Sequence, residues 1–202
     1  MEYPKFKEME RAYGFDEVAL VPGDVTVNPD QADVGFAIGP HQFQFPILAS
    51  AMDAVVSPSM AVKYGKLGGL AVLNLEGVQT RYENPDAVLQ KIAEASQSDV
   101  TTILQKLYQE PIKDELVAKR VSEVKAGGVA CAVSVTPTNT TRIAPIAKDA
   151  GMDILVVQST VTTASHVSKS AKGLVLGELV DQMQLPIIVG NCCSYNAALE
   201  LM

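Results

Sequence analysis

From residue 46 onward the chain alternates short β-branched runs with longer stretches of helical period. The runs at 47–49, 70–74, 129–135, 154–158 and 186–190 read as strands. Between them Met60, Tyr64 and Leu67 recur at helical spacing before Gly68, and Val117, Val121 and Val124 do so before Gly127. Ile143, Ile146, Ala147 and Ala150 repeat the pattern before Gly151, and Leu176, Leu179, Val180 and Met183 repeat it before Pro186. Antiparallel neighbours need only a tight turn, whereas parallel neighbours need a crossover of this length. Strand, helix, glycine, strand therefore predicts a parallel α/β sheet.

Two architectures answer to that description: an open doubly wound sheet and a (β/α)8 TIM barrel. The first wants a Gly-x-Gly-x-x-Gly after its opening strand, and the sequence has none. The second explains why polar residues close every strand: Ser50, Asn74 with Glu76, Ser134 with Thr136, Gln158 with Ser159, and Asn191. In a barrel these meet on one rim, where such folds place their chemistry. A closed barrel takes about 250 residues and eight strands, and the 202 residues supply five strands. The expectation is the first five βα units of a barrel, belonging to a longer polypeptide, since an open arc leaves two unpaired edges.

The stretch at 46–53, PILASAMD, anchors this reading. Residues 47–49 are apolar enough to be buried on both faces, and Ser57 with Pro58 marks the helix start that follows. Upstream, Val34, Phe36 and Ile38 alternate with small or polar residues, Gly39 and Pro40 supply a turn, and Phe43 and Phe45 alternate beyond it, which predicts a β-hairpin. Residues 1–45 are thus an extension with a hairpin, and 46–202 the partial barrel. Residues 78–126 exceed one crossover helix and predict a helical excursion, with helices at 85–95 and 99–108 before one at about 114–126.

The net charge of −7 disfavours a polyanionic partner, so nucleic acid is not expected. No apolar run reaches the ~20 residues that span a bilayer, and the first residues lack the apolar core of a secretory signal. Three cysteines without framework spacing suit a reducing compartment. The expected location is the cytoplasm.

FDEVALVP at 15–22, PILASAMD at 46–53, LGGLAVL at 67–73 and Gly190-Asn191 closing the fifth strand together resemble the IMP dehydrogenase/GMP reductase family. The resemblance covers nearly the whole chain. Two departures narrow it to the IMP dehydrogenase-related branch. The paired regulatory modules usual after the second barrel strand are replaced by the short helical excursion. The fourth strand ends in Gln158, Ser159 and Thr160, where a typical dehydrogenase has an aspartate followed by serines.

The resemblance implies NAD-dependent oxidation of IMP to XMP through a cysteine thiolate that attacks C2 of the purine. That nucleophile, the phosphate loops and the usual ligands of an activating monovalent cation (K+) fall on later segments, so residues 1–202 alone are expected to be inactive. The resemblance also implies a homotetramer and a purine nucleoside monophosphate as ligand. Ser50 and Met52 correspond to nucleotide-lining positions; otherwise they only finish a strand. Asn191 would sit beside the purine, or else cap the next helix. Gln158, Ser159 and Thr160 would meet the nicotinamide cofactor, without the charge-assisted bond a carboxylate would give. GMP reductase with NADPH, and a non-catalytic paralogue that binds purine nucleotide or partners with a genuine dehydrogenase, are the competing readings.

Other polar residues read as structural. Asp53 either caps or braces the following loop. Cys192 and Cys193 lie at a strand end, but no histidine stands nearby in sequence, and small cysteines are common in cores. Cys131 belongs inside its strand. His41 and His166 lack paired ligand spacing, so no metal site is expected.

Overall fold

The computed structural model describes residues 11–164 and 173–202; His166 lies outside the described residues. The chain divides into two units, Met1–Asp33 and Val34–Met202. The described part of the first holds two 3-10 turns, Phe15–Glu17 and Pro29–Gln31. The second carries everything that follows, and the hairpin falls within it.

That unit opens with the hairpin, β1 (Phe36–Ile38) paired antiparallel with β2 (His41–Phe43) across a Gly39 turn. Five parallel strands follow: β3 (Leu48–Ala49), β4 (Leu70–Asn74), β5 (Ala132–Val135), β6 (Ile154–Gln158) and β7 (Ile187–Gly190). Their spatial order is β3-β4-β5-β6-β7, the order of the chain. A doubly wound sheet reverses its strand order at a switch point; this sheet does not reverse, so it is the wall of a half-barrel. Helix α1 (Pro58–Lys66) links β3 to β4, α5 (Pro137–Asp149) links β5 to β6, and α6 (Leu176–Met183) precedes β7. Between β4 and β5 come α2 (Pro85–Ala93), α3 (Val100–Leu107) and α4 (Asp114–Ala126), the excursion expected from length. Helix α7 (Tyr195–Leu201) follows β7. No helix among the described residues is long and apolar enough to cross a membrane.

Strand alternation sorts the apolar residues into two cores. Ala71, Leu73, Val133, Val135, Leu155 and Val157 face the helices and pack with Val117, Val121, Ile143 and Leu179. Leu70, Val72, Ala132 and Ile154 face inward and pack with Phe43, Phe36 and Ile38 of the hairpin. The hairpin therefore closes the amino-terminal foot of the arc. Gly39 lies so close to Pro186 that a Cβ there would approach it to 2.4 Å. Gly68 turns the chain out of α1 at φ +92, beneath Gln44, whose amide donates to the Gly68 carbonyl.

Three local expectations change. Ile47 and Leu48 are not buried on both faces; they are 61% and 38% exposed, because β3 is an edge of the arc and pairs only with β4 among the described residues. The third predicted strand begins at Ala132 rather than 129, since the Cys131 amide donates to the Asp153 carboxylate instead of a ladder. Leu67 and Val180, counted with the buried helical faces, are exposed: Leu67 caps α1 and Val180 lies on the outer side of α6.

Candidate functional site

Parallel strands send their carboxyl ends to one edge, so the loops after β3, β4, β5, β6 and β7 share a rim. Asn74, Ser134 and Gln158 have the inward parity of Val72, Ala132 and Val156. Register puts Asn74 opposite Ser134, Ser134 opposite Val156, and Gln158 opposite Gly190. The inner wall thus changes from apolar at the foot to polar at the rim.

After β3 the chain makes a tight turn. The Met52 amide donates to the Ser50 carbonyl at 2.7 Å, and the Val55 and Val56 amides both donate to the Met52 carbonyl at 2.9 Å. Val56 is fully buried and pins the turn's far end. Ser50 and Met52 remain exposed on the lip, Met52 at 56%. Asp53 lies between them and the next loop. Its Oδ2 accepts the Val78 amide at 2.9 Å and the Tyr108 hydroxyl, and its Oδ1 accepts the Asn74 amide at 3.4 Å. It is a brace, joined to the loop after β4. Burial, then the bond to Asp53 and that carboxylate's charge, push the Tyr108 hydroxyl above the ordinary tyrosine range, with Arg81 opposing.

Glu76 carries the network onward. Its amide donates to the Asn74 side-chain oxygen at 2.9 Å. Its carboxylate accepts the Thr136 amide at 2.7 Å, the Thr136 hydroxyl at 3.0 Å and the Asn139 side-chain amide. Loops after β3, β4 and β5 are thereby linked through two carboxylates.

The β6 and β7 ends are tied separately. The Ser159 amide donates to the Gly190 carbonyl at 2.9 Å, and the Asn191 amide donates to the Ser159 carbonyl at 3.0 Å. The Thr162 amide and hydroxyl donate to the Asn191 and Gly190 carbonyls, each at 2.8 Å. The Ser159 hydroxyl is committed to the Val161 carbonyl at 2.7 Å. Gln158, Thr160 and Asn191 keep exposed side chains. Ser194, not Asn191, caps α7: its hydroxyl accepts the Ala197 amide.

A cavity of about 860 Å³ opens beside Thr136, Thr140, Val157, Ser159, Leu179 and Met183. Val157, Leu179 and Met183 belong to the core on the helix side of the sheet. Ser50, Met52 and Asn191 do not line the cavity. Of the cysteines, Cys131 is buried and its thiol is pushed up to about 12 by that burial. Cys192 and Cys193 are exposed, the Cys192 thiol donating to the Ser194 carbonyl.

The sequence marks Asn74, Glu76 and Thr136 as rim residues but does not show their connections. Tyr108 and Arg81 carry no sequence signal, because the contact between Tyr108 and Asp53 spans 55 residues.

Barrel folds place their sites at the strands' carboxyl ends, and this half-barrel carries its polar residues on that rim. The family model for the IMP dehydrogenase / GMP reductase domain matches residues 12–202, and the chain belongs to that family. A crystal structure of an IMP dehydrogenase/GMP reductase-like protein from Corynebacterium glutamicum is similar, with TM-score 0.88 and 33% identity, covering 97% of this chain and 53% of that one. An uncharacterized oxidoreductase of Mycobacterium tuberculosis is 31% identical over 197 residues, 95% of this chain and 52% of the relative. An inosine-5'-monophosphate dehydrogenase of Methanocaldococcus jannaschii is 34% identical over 100 residues, 49% of this chain and 20% of that enzyme. The chain spans about half the length of the first two.

Proposed function

We propose that the full-length protein oxidises IMP to XMP with NAD, in the cytoplasm and as a homotetramer, and that this chain supplies one wall of its nucleotide site. The observation that supports the reading is that exposed Ser50, Met52, Gln158 and Asn191 all stand at the carboxyl ends of strands, after β3, at the end of β6 and after β7, on one edge of an IMP dehydrogenase-type half-barrel. The Ser50 hydroxyl suits a polar purine edge, the Met52 thioether suits a purine face, and the exposed Asn191 amide can donate and accept beside them.

Bound NAD would supply the hydride acceptor. The residues fit it in part. Gln158, at the inward-facing end of β6, and Thr160 two residues on expose groups suited to ribose hydroxyls; the Ser159 hydroxyl gives its proton to the Val161 carbonyl and is left as an acceptor only. The nucleophile is assigned by the family pattern to a cysteine on a later loop. Cys131 is unsuited to that role, since a thiol held near 12 is not a thiolate at neutral pH. The 202-residue chain by itself is therefore expected to be inactive.

Incubating full-length protein with IMP and NAD, and separately with GMP and NADPH, tests the reading. Formation of XMP with NADH supports it, and turnover of only the second pair reassigns the protein as a GMP reductase. The uncharged Gln158 favours one further reading, a purine-binding paralogue without catalysis. IMP binding by calorimetry without turnover of either pair would establish it.

A further inference from the structure

The excursion between β4 and α4 returns to the rim just after α3, where Tyr108 meets Asp53. We propose that Tyr108 is a positioning residue for the nucleotide site: acting through Asp53, it fixes the 50–56 turn that presents Ser50 and Met52. What the turn binds rests on the function proposed above; the positioning stands on geometry alone.

Three observations converge on this contact. The first is the placement of Asp53 in the middle of the turn, one residue after exposed Met52, with the turn's end anchored by buried Val56. Without Asp53 held in place, the 50–54 segment has only its own short bonds to define it. The second is Gly77. A Cβ there would fall 1.8 Å from Asp53 Oδ1, so the β4 loop comes against the carboxylate more closely than any side chain permits. The third is the fixing of Tyr108 itself. The Arg81 guanidinium lies 5.5 Å over its ring, and Arg81 is held by the Glu76 carbonyl at 3.0 Å and by the Glu110 carbonyl.

Holding the excursion to the body does not require Tyr108. The Tyr82 hydroxyl donates to the Leu107 carbonyl at 2.9 Å, and the Lys113 amide donates to the Thr80 carbonyl at 2.9 Å. Buried Arg120 donates to the carbonyls of Gln79, Tyr82 and Glu83. These bonds stitch the excursion to the β4 loop. The hydroxyl of Tyr108 goes past that loop to the β3 turn. Tyr82 therefore separates docking of the excursion from positioning of the turn.

The experiment uses full-length protein and the variants Tyr108→Phe, Asp53→Asn and Tyr82→Phe. Removing a half-exposed hydrogen bond to a carboxylate loosens the turn without unfolding it, so Tyr108→Phe should raise KM for IMP about threefold to tenfold with kcat within about twofold. Asp53→Asn, which keeps the side chain's shape, should change KM in the same direction. Tyr82→Phe should leave KM unchanged. Hydrogen exchange reads the turn directly: the Met52, Val55 and Val56 amides should exchange about threefold faster or more in Tyr108→Phe, and at the native rate in Tyr82→Phe. Equal KM changes in the two tyrosine variants, or native exchange rates at 52–56 in Tyr108→Phe, overturn the inference. If no variant, nor the native protein, turns over IMP, the functional reading fails, and the exchange rates still decide the positioning.

Discussion

Glu76 takes the N-cap amide of α5 from another loop, as the acid of a capping box does from within its own helix, and removing its charge measures what that is worth. Thr136 stands at the N-cap of α5, yet its hydroxyl makes no capping bond of its own. The Glu76 carboxylate, arriving from the β4 loop, takes the Thr136 amide, the Thr136 hydroxyl and the Asn139 side chain instead. Glu76→Gln leaves one carbonyl oxygen to share among three donors and turns an NH2 group toward one of them. A hydrogen bond to a charged group contributes about 1.5–3 kcal/mol when well shielded, and an anion at a helix N-terminus about 0.3–1 kcal/mol. Thr136 is exposed, so water replaces part of what is lost and the bonds do not add. The expected net cost is about 1–2.5 kcal/mol. Thr136→Val removes only the hydroxyl arm and should cost about 0.5–1 kcal/mol. Urea unfolding of full-length protein, with the slope unchanged and the midpoint lowered, gives both values. A Glu76→Gln midpoint indistinguishable from native refutes the reasoning. So does a double-mutant cycle with Thr136→Val that shows no coupling.

Gly77→Ala places a methyl group on the Asp53 carboxylate; displacing that brace should destabilise by about 1–3 kcal/mol, seen as a lowered melting temperature. Gly177→Ala in α6 meets nothing within 4 Å and should instead stabilise by up to ~1 kcal/mol, so a loss there would refute the helix argument. Alkaline pH probes Cys131, whose thiol rises from an ordinary 9.0 to about 12 in the fold. The folded chain holds the thiol neutral, so this contribution is full below pH 9 and is lost as pH climbs toward 12. Cys131→Ala should flatten the fall of urea midpoints across that window, and native Cys131 should react with thiol reagents only on unfolding.

The sheet was legible because its period is local. The strands at 70–74 and 154–158 match the structure residue for residue, and glycines mark where the chain turns back after α1, α4 and α5, whereas α6 ends on left-handed Gln184. The hairpin was legible for the same reason, in its alternating phenylalanines. Its seat beneath the inner wall was not, since that depends on Phe43 meeting Leu70, Ala132 and Ile154 across long stretches of chain. Ile47 and Leu48 stay exposed despite their composition, because composition describes a strand's preference and not the number of its neighbours. At the rim, sequence located Asn74, Glu76 and Thr136 but could not distinguish a side chain offered to a ligand from one spent on a neighbouring loop. Asp53 and Glu76 are spent in that way, while the Ser159 hydroxyl is tied within its own loop.

The hairpin under the strands has a consequence for traffic. With Phe36, Ile38 and Phe43 packed against the lowest inward side chains, the foot of this wall offers only apolar contact. A polar visitor to the concave face therefore finds hydrogen-bonding partners along the wall only at the opposite lip.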